Sequence, residues 1–234
     1  MPIYILTDEI AFPPPNLATE DGLLALGGDL SVDRLVEAYR NGIFPWYSDG
    51  EPLLWWSPDP RLIIYPHQYR PAKSLRQIIN QKHFEVAFDT HFKEVIAACA
   101  ENPRKDQEGT WITPEMEKAY INLHQAGYAH SVEAFQDGKL VGGLYGVSLG
   151  KAFFGESMFF RVSNASKVAF HHLVNFCQEN SFQFIDAQQD TPHMRRLGGV
   201  LVSRRDFLFL LGKALKAPTI KGKWNINEKM NNKL

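Results

Sequence analysis

The sequence predicts an α+β fold in two parts. A small α/β unit spans residues 1–61, and a larger unit built on a mixed, largely antiparallel sheet spans residues 62–234. Three observations predict it. Residues 1–61 are rich in Pro, Gly and Trp. After residue 62, apolar positions switch between a period of two and a period near 3.6, the patterns of half-buried strands and amphipathic helices. Asp137-Gly138 sits between two alternating runs, a hairpin signal because a two-residue turn needs positive φ at both positions.

The elements follow in order. Ser31 is a helix N-cap, Leu35, Ala38 and Tyr39 have helical spacing, and Gly42 ends the helix. Around it lie Ala11-Phe12-Pro13-Pro14-Pro15, Gly42-Ile43-Phe44-Pro45-Trp46-Tyr47 and Leu54-Trp55-Trp56-Ser57-Pro58-Asp59-Pro60-Arg61. Proline fixes φ and restricts its neighbour, so these stretches are expected to be rigid and mostly non-repetitive. Residues 62–65 read as a strand and 74–80 as a helix. Phe84, Val86 and Phe88 alternate as on a strand, and residues 91–100 are helical. Residues 102–109 form a polar loop, and Thr113-Pro114 opens a helix that Gly127 closes. The hairpin of 129–135 and 140–147 is followed by a third strand over 151–159. Then come a helix over 165–178, a strand over 182–188 and a short helix over 192–197. Ser203 with Asp206 resembles a capping box for a last helix reaching residue 215. A central hairpin followed by strand, helix, strand and helix is also the order of acyl-CoA N-acyltransferase-like domains.

Bulk properties narrow the function. Basic and acidic residues number 25 and 26, so net charge is −1 and any nucleic acid must be held by a local patch. No apolar run is long enough to span a bilayer, and Met1-Pro2-Ile3-Tyr4 lacks the charged start of a signal peptide. Cys99 and Cys177 form no Cys-x-x-Cys pair. A cytoplasmic, monomeric protein with no membrane partner is expected. The eight His include no His-Glu-x-x-His, and His171-His172 cannot both face one site on a helix, so no metal is expected. With 16 Phe and 5 Trp, the chain has ample material for an apolar pocket.

The strand over 182–188 carries the most chemistry. Alternation puts Phe184, Asp186 and Gln188 on one face and Ile185 and Ala187 on the other. A carboxylate on such an apolar strand needs a partner. One reading has Asp186 capping a helix or pairing with an Arg; the other makes it a reactive group beside Gln188. Glu156, in Gly155-Glu156-Ser157-Met158, shares a face with Phe154 and Met158 on a regular strand.

Eight segments stand in a recognisable order. They are Gly22-Leu23-Leu24-Ala25-Leu26-Gly27-Gly28-Asp29-Leu30, Gly42-Ile43-Phe44-Pro45-Trp46, Trp55-Trp56-Ser57-Pro58-Asp59-Pro60-Arg61, Glu108-Gly109-Thr110-Trp111-Ile112-Thr113, His130-Ser131-Val132-Glu133, Leu140-Val141-Gly142-Gly143-Leu144-Tyr145-Gly146-Val147, Phe154-Gly155-Glu156-Ser157-Met158-Phe159 and Ile185-Asp186-Ala187-Gln188. Together they resemble the leucyl/phenylalanyl-tRNA–protein transferase family, over most of the chain from Phe12 to Arg204-Arg205-Asp206. The resemblance implies a small N-terminal domain on an acetyltransferase-like domain. It implies transfer of Leu, Phe and, less efficiently, Met from aminoacyl-tRNA to proteins that begin with Arg or Lys, which marks them for degradation. The acyl ester is already activated, so no cofactor is expected. Residues beyond 217 carry no signal.

The resemblance favours the reactive reading of Asp186. An α-amine, with a pKa of about 7.7–8.0, must lose a proton to attack. Asp186 is assigned to proton handling, Gln188 to orientation by its amide, and Glu156 to binding the cationic acceptor. Leu144, Phe153, Met158, Leu173, Cys177 and Ile185 are candidates for the acyl pocket, although ordinary core packing explains Leu173 and Cys177 as well. Family members carry Met at the position of Leu144 and Phe at those of Leu173 and Cys177. Trp46 and Trp111 are candidates for stacking on the terminal adenosine, worth about 1–3 kcal/mol per base, with Tyr39 and Tyr120 nearby. Arg70, Lys73, Arg76 and Lys82 are the favoured phosphate patch. A coenzyme A acetyltransferase is the competing enzyme. Its pyrophosphate turn has no good counterpart, since Arg195-Arg196-Leu197-Gly198-Gly199-Val200 departs at the last position. A non-catalytic tRNA-binding module is the other alternative.

Overall fold

A computed structural model describes residues 3–101 and 112–225. Two sheets organise them. The first has four strands in the order β1-β2-β4-β3, from β1 (Tyr4–Leu6), β2 (Leu23–Gly27), β3 (Phe44–Pro45) and β4 (Leu54–Trp56). The N-terminal segment is thus more regular than its Pro content suggested. Its strands are only two to five residues long, too short for an alternating pattern to register. Helix α1 (Val32–Arg40) begins where Ser31 Oγ accepts from the Arg34 N–H at 3.3 Å. Gly42, at φ 70°, ends it against Phe207, whose ring would lie 2.7 Å from any Cβ there.

The second sheet has seven strands in the order β11-β5-β10-β9-β8-β7-β6. They are β5 (Arg61–Ile64), β6 (Glu85–Phe88), β7 (Ala129–Gln136), β8 (Lys139–Leu149), β9 (Ala152–Phe160), β10 (Phe184–Gln188) and β11 (Val200–Val202). The last was not expected from sequence; three residues of an edge strand carry little pattern. Asp137 and Gly138 take φ of 51° and 70°, and the β7–β8 hairpin turns on them. Every pairing is antiparallel except β9 with β10. This is the mixed, largely antiparallel sheet expected from sequence, with helices on both faces.

Side-chain alternation divides the core. One face packs against α3 (Phe92–Glu101), α4 (Pro114–Gln125), α7 (Arg204–Ala214) and the four-stranded unit. The other packs against α5 (Ala165–Glu179), with α2 (Lys73–Asn80) on its flank. A short helix, α6 (Pro192–Arg196), links β10 to β11. Thr113 and Ser203 cap α4 and α7 through their hydroxyls, as their sequence positions indicate. No described helix is long and apolar enough to cross a membrane.

Candidate active site

The parallel pair makes the site. β9 and β10 are in register only through Ala152, Phe153 and Phe154 against Phe184, Ile185 and Asp186. Each strand then carries a bulge. On β9 the register against β8 slips between Gly155 and Ser157, so Glu156 is the extra residue. On β10 it slips between Asp186 and Gln188, where Gln188 takes φ 60°. Bulges re-aim side chains beside active sites. Past them, where the parallel pairing of β9 with β10 ends, a cavity of about 370 Å³ opens.

The cavity has an apolar body and a polar end. Leu144, Phe153, Met158, Leu173 and Ile185 line it as expected from sequence, joined by Ile64 and Phe170. Gly146 explains how Phe153 fits: a Cβ there would lie 2.6 Å from the Phe153 ring. Cys177 is the exception and a correction. It is buried in the core and does not line the cavity, and burial pushes its thiol pKa well up. The bulge also corrects the expected face sharing. Glu156 keeps Phe154's side of the sheet, while Met158 is switched to the opposite one.

At the polar end, Glu156, Asp186 and Gln188 converge, with fractional exposures of 9%, 0% and 9%. Asp186 is tied to Arg61: Nε to Oδ1 at 2.9 Å and Nη2 to Oδ2 at 2.6 Å. Oδ1 also accepts the Gln188 backbone N–H at 2.8 Å. Arg61 is itself fully buried between the rings of Phe44 and Phe207, at 4.7 and 4.6 Å. Burying this pair is costly, so neither partner can be removed cheaply. Both Asp186 oxygens are therefore committed, as in the reading of the strand that pairs this carboxylate with an Arg.

Glu156 is the carboxylate held without a guanidinium. Its Oε1 accepts from Gln188 Nε2 at 2.8 Å and its Oε2 from Tyr120 Oη at 3.1 Å. Tyr39, from α1, hydrogen-bonds Tyr120 in turn. Burial raises the Glu156 pKa from 4.5 to about 7, against the lowering effect of the two tyrosines. Burial and the neighbouring Glu156 charge push both tyrosines well above their ordinary value, so they remain donors. Tyr39 and Tyr120 are fully buried, with their rings against Phe154 and Tyr145. Neither offers a face to a nucleobase; the structure places both behind Glu156, at the polar end of the cavity.

Trp46 is half-buried at the cavity wall, braced edge-on by Trp56, whose Nε1 donates to the Trp46 carbonyl at 2.7 Å. Trp111 lies outside the described residues. Arg70, Lys73, Arg76 and Lys82 are all exposed, on α2 and its flanks. Arg61, Phe44, Ile64 and Phe170 were not singled out from sequence. Arg61 had a signal, a lone charge opening the apolar run Leu62-Ile63-Ile64; Phe170 is one apolar helix position among several and had none. Arg195 and Arg196 end α6, and Gly198-Gly199 lead into a strand. That segment therefore builds no pyrophosphate-binding helix N-terminus.

Two family descriptions match this chain. "Leucyl/phenylalanyl-tRNA protein transferase" matches residues 63–212, and "Leucyl/phenylalanyl-tRNA protein transferase N-terminal domain" matches residues 28–59. The leucyl/phenylalanyl-tRNA–protein transferase of Desulfatibacillum aliphaticivorans is 58% identical over 226 residues, 97% of this chain and 97% of the relative. That of Syntrophus aciditrophicus is 53% identical over 234 residues, 100% of this chain and 98% of the relative. That of Myxococcus xanthus is 53% identical over 226 residues, 96% and 97% of the two chains.

Proposed function

This chain belongs to the leucyl/phenylalanyl-tRNA–protein transferase family, and from that premise we propose that it moves Leu, Phe and, less efficiently, Met from aminoacyl-tRNA to the α-amine of proteins beginning with Arg or Lys. The transferred residue then marks the acceptor for degradation. The observation that carries this reading is the apolar cavity ending at Glu156 and Gln188. A Leu or Phe side chain fills the apolar body and sets its ester carbonyl at the polar end, while Trp46 flanks the terminal adenosine.

The chemistry needs two proton movements. The acceptor arrives as an ammonium. Glu156, with a pKa raised to about 7, is matched to an amine of about 7.7–8.0 and takes its first proton. The amine then attacks the ester carbon, a C–N bond forms, and the ester C–O bond to the ribose breaks. The second amine proton ends on the departing ribose oxygen. Gln188 donates to Glu156 and orients it. Asp186 anchors the Gln188 backbone and, with Arg61, fixes the bulge; proton handling passes to Glu156. Holding ester and amine together supplies much of the rate. The exposed Arg70, Lys73, Arg76 and Lys82 contact tRNA phosphates.

The test mixes the protein with Leu-tRNA, Phe-tRNA or acetyl-CoA, and with peptides beginning Arg, Lys or Ala, and weighs the products. A mass gain of one Leu or Phe confined to the Arg and Lys peptides is expected. Acetylation, or binding of charged tRNA with no transfer, would overturn the reading.

A further inference from the structure

The chain does not stop at α7. Residues 217–225 run back over the larger sheet, beyond both family-matched segments. The return path is pinned at each step. The Gly150 N–H donates to Thr219 Oγ1 at 2.8 Å, and the Gly222 N–H to the Gly127 carbonyl at 3.2 Å. Lys221 Nζ lies 4.1 Å over the Tyr128 ring. The segment ends by inserting Trp224, only 2% exposed, between the sheet and α5. Its backbone N–H donates to Asp89 Oδ2 at 2.7 Å, and its Nε1 to the Ile220 carbonyl at 3.1 Å.

The Trp224 ring sits in an aromatic cluster. It stacks on His130 at 3.8 Å and 9°, and on Phe176 at 4.2 Å and 24°. Asp89, which holds the Trp224 backbone, also holds His130 Nδ1 at 2.8 Å. The cluster reaches Phe153, 5.9 Å from Trp224 between ring centroids. Phe153 lines the cavity, and Trp224 does not. The Phe153 ring is thus fixed by Gly146 below it and by Trp224 beside it. Protein interiors transmit such packing because they are close-packed.

We propose that Trp224 is a positioning residue that sets the size of the acyl cavity through Phe153, making the C-terminal segment a determinant of which aminoacyl group is used. The proposal rests on the reading of the cavity as the acyl site. With Trp224 shortened, Phe153 relaxes away from the cavity and the larger side chain gains most. Packing in a pocket discriminates side chains by about 10-fold or more per methylene, so a modest relaxation is measurable.

The experiment compares kcat/KM for Leu-tRNA and Phe-tRNA in the wild type, Trp224→Leu, Trp224→Phe and Val95→Ala. Val95 lies on the opposite face of the sheet, so its variant reports loss of stability alone. Trp224→Leu is expected to shift the Phe-to-Leu ratio about five-fold or more towards Phe. Trp224→Phe shifts it in the same direction by less, and Val95→Ala leaves it unchanged. If Trp224→Leu does not fold, the Trp224→Phe ratio decides. An active wild type with unshifted ratios in the folded Trp224 variants overturns the inference, as does an equal shift in Val95→Ala. An inactive wild type fails the functional reading instead.

Discussion

Glu156 and Asp186 are two buried carboxylates at one cavity wall, and their partners separate their roles. Asp186 meets a guanidinium with both oxygens. Glu156 meets two phenols and an amide and no guanidinium hydrogen bond, so burial dominates and its pKa rises to about 7. The sign has two consequences. A carboxyl whose folded pKa is raised contributes stability that is full below its ordinary 4.5 and is lost as pH rises through about 7. Proton acceptance runs the opposite way, because only the ionised form is a base. The kcat/KM of the wild type is therefore expected to rise with pH through about 7. In Glu156→Gln that limb disappears, the rate falls by about 10²–10⁴-fold, and only the acceptor amine's own titration near 8 remains. A pH–rate profile in which the Glu156→Gln limb matches the wild type would sink this assignment.

The unit of function at the next scale is the pair of bulged strands. β9 and β10 part after Phe154 and Asp186, and the gap between them becomes the cavity. β8 shapes the same cavity by omission. At Gly146 a Cβ would lie 2.2 Å from the Phe154 carbonyl oxygen as well as against the Phe153 ring. Gly146→Ala must push β8 from β9, and overpacking of this kind costs about 1–3 kcal/mol. A melting temperature lower by about 3–10 °C is expected. An unchanged melting curve would show that the strands give way freely. The helices, capped by Ser31, Thr113 and Ser203, were legible because a cap and a 3.6-residue period are local. The bulges were not, because a bulge is a relation between two strands distant in sequence. Regular alternation placed Glu156 with Met158, and the slip at Gly155 and Ser157 separates them.

Across the whole molecule, the two sheets meet around Glu156. Tyr39 arrives from α1 and Tyr120 from α4, and the two hydroxyls hydrogen-bond each other beside the carboxylate. The near-zero net charge leaves no general attraction for nucleic acid, so the proposed function assigns tRNA binding to a local patch, that on α2. Releasing condensed counterions gives a salt slope of about 0.7–0.9 per phosphate contacted. Replacing both Arg76 and Lys82 with Ala is therefore expected to lower the slope of log affinity against log salt by about 1.5, with kcat on saturating tRNA unchanged. Anisotropy titrations of labelled tRNA at several KCl concentrations would measure it, and an unaltered slope would move the patch elsewhere.

By itself, the sequence determined the helices, the central hairpin, the family and most of the apolar residues that line the cavity beside Glu156, since each rests on neighbours in the chain or on motifs read in order. Only the tertiary structure decided the partners of the charged groups. It showed that Arg61 holds Asp186 across 125 positions of sequence, that Tyr39 and Tyr120 are buried donors, and that Trp224 returns to brace Phe153. The physical reason is that a charge or ring in the interior is fixed by whatever the folded chain brings beside it, and those contacts leave no periodic trace in the chain.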